Sequence, residues 1–138
     1  MFDYSHNDRT DGLGVLTEIV RLIEILDWAI SSDRDQLVDS IEQRIQEMPC
    51  SVCVRDAWRP AGQLTDEQPE EFEILLGTGG PAVRIYGTLN QYGEPVDCQL
   101  QNQDWGTPWQ IVRIQDPELN KSHHAALMKF CSHFYFAD

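Results

Sequence analysis

Residues 75–82 read LLGTGGPA, and a run with three glycines is the first place to look for phosphate chemistry. A phosphate loop needs a helix directly after its glycines, because the first helical turn presents free N–H groups to the anion. Here Gly79-Gly80 runs into Pro81, which has no N–H to give, and then into the alternating AVRIYG. No Lys-Ser or Lys-Thr follows, and Ala82 stands where the third glycine of a G-x-G-x-x-G pattern would be, with no helix starting there. The stretch reads as a glycine-rich turn between two strands.

Thiols and imidazoles come next. Cys50-x-x-Cys53 has the spacing of half a zinc site, and Cys131-x-His133, with His123-His124 upstream, would supply the other half. That second half matches no familiar knuckle, and Cys53 falls inside an alternating, strand-like run. A zinc site of Cys50, Cys53, Cys131 and His133 therefore stands beside the simpler reading of free thiols in a reducing cytosol. A cysteine with His123, His124 or His133 and Asp104 would make a nucleophile and its base, but nothing in the spacing brings them together. No Gly-x-Ser-x-Gly elbow exists. The chain is expected to be non-enzymatic and to need no cofactor. Glu70, Glu71 and Glu73 precede or enter a strand and read as a solvated edge. In DWGTPW, Trp105 and Trp109 bracket a turn, which suits either a corner over the core or an exposed aromatic contact.

Charge narrows the partners. Ten Lys and Arg face 23 Asp and Glu, a net charge of −13. Nucleic-acid binding needs cations that displace counterions from phosphates, so direct DNA or RNA binding is not expected, and an anionic membrane would repel the chain. The first 49 residues carry eleven acids and four bases, so the negative field is concentrated there. Asp35, Asp39 and Glu42 are spaced by four and three, which stacks their carboxylates on one helix face. Neighbours on such a face lie about 5–6 Å apart at Cβ, comparable with the step between phosphates along a DNA strand. With Glu18, Glu24 and Asp27 on the preceding helix they would form a two-helix acidic surface. The alternative is a face that serves solubility alone.

The elements that would hold these residues follow from periodicity. Leu16, Ile19, Ile23, Leu26 and Ile30 step by three and four, as on an amphipathic helix. Ser31-Ser32-Asp33 breaks it and offers N-caps for a second helix, which carries Leu37, Ile41, Ile45 and Met48 and stops at Pro49. The pattern then changes to period two in SVCVRDAW, EFEILL, AVRIYG and VDCQLQ, with WQIVRI as a fifth candidate strand. A last helix is predicted from Pro117, capped by Asp116, through Leu127 and Phe130. The expected fold is α+β: a helical hairpin, an antiparallel meander of four to five strands and a C-terminal helix, with the helices on one sheet face. The chain reads as a single domain, with residues 1–11 flexible, 12–48 the acidic hairpin and 49–138 the sheet and last helix. Acids stand where a signal peptide has its basic residues, and no apolar run spans a bilayer. A cytoplasmic location is expected.

The block EFEILLGTGGPAVRIYGTLNQYGEP, followed by DWGTPW and a terminal FYF, resembles a family of small acidic proteins of bacteriophages, prophages and conjugative elements. The resemblance covers roughly residues 49–138 and leaves the helical hairpin outside it. It implies no catalytic residues, and other residue types at positions 50 and 53 in relatives. It also implies a setting in a bacterial host cell. Such proteins look like anti-CRISPR or anti-restriction inhibitors, which compete with DNA for a basic groove on a host defence complex. Charge and resemblance together give the expectation of a protein-binding inhibitor that acts by DNA mimicry. Asp35, Asp39 and Glu42 would replace phosphates, and Trp105 or Trp109 would anchor an apolar contact. The alternatives are a structural or regulatory phage interaction module and a small zinc-binding protein.

Overall fold

A computed structural model describes residues 12–55, 70–77, 82–104 and 106–136. The predicted flexibility of residues 1–11 and the turn at 78–81 lie outside them. Three helices and five strands follow in the order α1 (Gly12–Ser31), α2 (Asp35–Glu47), β1 (Ser51–Arg55), β2 (Glu71–Gly77), β3 (Ala82–Leu89), β4 (Pro95–Gln103), β5 (Gln110–Ile111) and α3 (Pro117–Cys131). The strands form one antiparallel sheet in sequence order, β1-β2-β3-β4-β5. The α+β architecture with a meander sheet is the one the alternation implies.

The register explains the alternation. Phe72, Gly87 and Cys98 lie side by side across β2, β3 and β4, and so do Ile74, Ile85 and Leu100. These positions share one face, and all of their large side chains are buried. Helix α1 covers them with Leu16, Ile19, Leu22, Ile23 and Leu26, and α3 with Ala126, Leu127 and Phe130. Burial of each such side chain is worth about 1.5–3 kcal/mol, so this layer is the main source of stability. Phe136 closes the core against Phe72, ring centroids 4.5 Å apart. Gly87 is required there: a Cβ would lie 2.3 Å from the Asp97 carbonyl and 2.5 Å from the Phe72 ring. Glu73, Tyr86 and Gln99 share the opposite face, as do Leu75, Arg84 and Gln101.

Helix ends divide into one agreement and one correction. Asp116 caps α3 as its sequence implies, its carboxylate accepting from the N–H groups of Glu118 and Leu119, with Pro117 in the first turn. The expected caps for α2 are used differently. Asp33 takes a left-handed conformation, φ 56°, and its N–H reaches the Ile30 carbonyl while that of Arg34 reaches Ala29. This is the hydrogen-bond pattern of a helix C-terminus, so Asp33 closes α1 and does not open α2. Arg34 is left at the α2 N-cap without a side-chain hydrogen bond. Helix α2 is held chiefly by α1. Ile45 is its one fully buried side chain, with Val38 and Ile41 packed beside it.

Candidate functional site

Docking through one side leaves the other side of α2 in solvent. Asp35 and Asp39 are exposed and Glu42 is half-buried. None of the three has a salt bridge among the described residues, nor does the exposed Glu24. Glu18 and Asp27 are committed elsewhere. Arg44 of α2 donates to Glu18 at 2.7 Å, and Lys129 of α3 donates to Asp27 at 2.8 Å. Nine residues separate the two acids, which is about 180° around a helix at 3.6 residues per turn. They sit on opposite flanks of α1, one tying it to α2 and the other to α3. Gln46 adds a bond from α2 to the His133 carbonyl.

The open face of the sheet is polar too, and there Arg55, Glu71, Glu73 and Arg84 are all engaged. Arg84 donates through Nε to Gln101 and through Nη1 to Glu73, both at 2.8 Å. Its guanidinium stacks 4.3 Å from the centre of the Trp109 ring and 5.2 Å from that of Tyr86. The Tyr86 hydroxyl donates to Glu71 at 2.5 Å, and Arg55 donates to the other oxygen of the same carboxylate. Arg55 and then Tyr86 hold the Glu71 carboxyl below the ordinary carboxylate range, and that bond pushes the Tyr86 phenol up. Trp109 therefore lies half-buried on the open face, as the lid of an arginine. Trp105 lies outside the described residues.

The four zinc candidates do not come together, which corrects that alternative. Cys50 and Cys53 are exposed at β1, whereas Cys131 is buried with Cys98 in the core. The hydrogen bond with Cys98 and burial both push the Cys131 thiol up, against the thiolate that a metal needs. His133 donates through Nδ1 to the Lys129 carbonyl. Among the described residues no three His, Cys, Asp or Glu side chains are placed to hold an ion. Among the described residues the imidazole–carboxylate pair is His124 with Asp97, 3.1 Å apart, and not a pair with Asp104. They line a cleft between β4 and α3 with His123, whose Nδ1 is buried and has no hydrogen-bond partner among the described residues. Gly77 ends one strand and Ala82 begins the next, so a strand follows the glycine cluster where a phosphate site requires a helix.

No helix among the described residues is long and apolar enough to cross a membrane. The chain matches no protein-family model, no curated protein and no solved structure.

Proposed function

We propose that the protein is a non-enzymatic inhibitor that binds another protein through the outer side of α2. Its target is a basic, DNA-binding surface of a host defence complex in the bacterial cytoplasm, as in anti-CRISPR or anti-restriction proteins. The observation that supports this is the free row of carboxylates: Asp35 and Asp39 are exposed, Glu42 is half-buried, and no cation of the described residues answers them. In a chain that pairs Glu18, Asp27, Glu71 and Glu73, acids left unpaired on one helix are available to a cationic partner. A row of negative charge raises the encounter rate with an arginine- and lysine-rich groove and stands where DNA phosphates would stand. Recovery of a basic DNA-binding complex on the protein from host extract, with duplex DNA competing for it, tests the idea. Asp35→Lys, Asp39→Lys and Glu42→Lys together should abolish recovery and inhibition. Full inhibition by the triple variant would end the mimicry reading.

The stack of Trp109, Arg84 and Tyr86 favours a second reading, a phage interaction module that binds through the sheet. Recovery of only virion or replication proteins, insensitive to DNA, would select it.

A further inference from the structure

Arg113 and His123 both line the cleft between β4 and α3. One hydrogen bond sets its width: Asn120 accepts from the Ile114 N–H at 3.0 Å, which holds the segment carrying Arg113 against the first turn of α3. With its oxygen so used, the Asn120 side chain offers its amide N–H groups as donors. His123 follows Asn120 by three residues and His124 by four, so all three share one side of the helix. The cleft holds about 190 Å³, below the roughly 300–1,000 Å³ of a site for a drug-sized ligand, so it suits a single small group.

Charge in the cleft is unequally satisfied. Its acid, Asp97, accepts at one oxygen from the Cys98 N–H at 2.9 Å and from His124 at 3.1 Å. Its guanidinium, Arg113, has no hydrogen bond, ion pair or ring contact among the described residues, although the chain carries 23 acids. Arg44, Arg55 and Arg84, by contrast, each hold an acid. His123 is unmet as well. Its Nδ1 is the one buried side-chain nitrogen or oxygen without a partner among the described residues. A proton there would be a buried donor with no acceptor, so the neutral ring keeps its proton on Nε2 and donates from that atom.

We infer that this cleft binds a compact oxyanion, a phosphate or carboxylate group, with Arg113 as its counter-ion and the Asn120 amide and His123 Nε2 as neutral donors. A cation would find a carboxylate that already holds two donors, whereas an anion finds a guanidinium that holds no acid. The planar fork of an arginine matches two oxygens of one such group. The site uses none of the α2 carboxylates.

The test is titration of the full chain with sodium phosphate and, separately, with sodium acetate, at fixed pH and with sodium chloride keeping the ionic strength constant. NMR signals of the Asn120 amide and the His123 ring report on the cleft. They are expected to move together and to saturate, and the tighter of the two anions identifies the group as phosphate or carboxylate. Arg113→Gln should weaken binding about tenfold, as loss of a charged hydrogen-bond partner does. Asn120→Asp keeps the oxygen that holds Ile114 and replaces the donor with a negative charge, so binding should disappear from a chain that still melts cooperatively. His123→Phe should weaken binding without lowering the melting temperature, because it removes a nitrogen that the fold leaves unsatisfied. Shifts that rise without saturating for both anions would overturn the inference, as would wild-type affinity in Arg113→Gln. Either result would leave the proposal for α2 standing.

Discussion

The open face of the sheet and the outer side of α2 are both polar, yet they spend their acids in opposite ways. On the sheet, Glu71 is shared between Arg55 and Tyr86, and Glu73 is bonded to an arginine that also holds Gln101 and two rings. On α2, Asp35, Asp39 and Glu42 are close in sequence and have no salt bridge within the described residues. Side chains held in a bonded network have already given up their rotamer freedom, so such a face contributes to folding. Unpaired acids at helical spacing add little to folding and repel one another slightly. A polar surface of the first kind is explained by the fold itself, and one of the second kind is open to a role outside it.

If that contrast is right, the largest loss of stability among polar substitutions comes from the centre of the sheet network. Arg84→Ala removes two hydrogen bonds and both ring stacks, and leaves Gln101, which is 9% exposed, without its donor. A cost of about 2 kcal/mol is expected from urea denaturation. Arg84→Lys should recover little of it, because an ammonium keeps the charge but not the planar fork. A loss below about 0.5 kcal/mol would mean that the network is ornamental and the contrast false.

The next effect is a pH dependence that belongs to the sheet. Glu71 is depressed, first by its bond from Arg55 and then by Tyr86, so its contribution is complete above the ordinary carboxylate pKa and is lost as pH falls through the lowered value. Tyr86 is raised, so its contribution is complete below the ordinary phenol pKa and fades as pH rises through the higher one. Glu71→Gln should flatten both limbs of a stability profile taken from pH about 3 to about 11. An unchanged profile would show that these bonds do not persist in solution.

The parts of this picture that the sequence shows are those encoded locally. Phe72, Ile74, Val83 and Ile85 reveal their strands because alternate residues of one strand must share a buried face, and Asp116 reveals its cap because it lies next to the helix it serves. Long-range choices have no local signature. Glu18 meets Arg44 across 26 residues and Asp27 meets Lys129 across 102, so neither acid is recognisably paired from its neighbours. The Arg84–Trp109 stack is hidden for the same reason, and it moves Trp109 from a core corner or free contact to the sheet network. Asp33 misleads because its residue type suits a helix start and a left-handed helix end alike. Cys53 and Cys131 share a residue type but are an exposed strand position and a core position, which composition does not distinguish.

Smaller effects are expected where the hairpin is tied together. The Arg44–Glu18 pair joins α2 to α1, with the arginine side chain 54% exposed. Arg44→Gln should therefore cost only about 0.5 kcal/mol, and less at high salt. A double-mutant cycle with Glu18→Gln isolates the pair from general charge effects. A coupling above about 1.5 kcal/mol would mean that α2 depends on its ions more than on Ile45.

The smallest expected effect is also the most diagnostic. Asp35→Asn, Asp39→Asn and Glu42→Gln together keep size and remove charge. Relief of repulsion between neighbours four and three apart offsets the lost favourable charge of Asp35 at the α2 N-terminus. Net stability should stay within about 0.5 kcal/mol of the unaltered chain. The same triple change should remove binding to a basic partner, since the carboxylates are what that partner would meet. Stability unchanged and binding lost is the signature of a surface kept for a partner. A large loss of stability instead would assign the three acids to the fold, and α2 would then be the same kind of surface as the sheet.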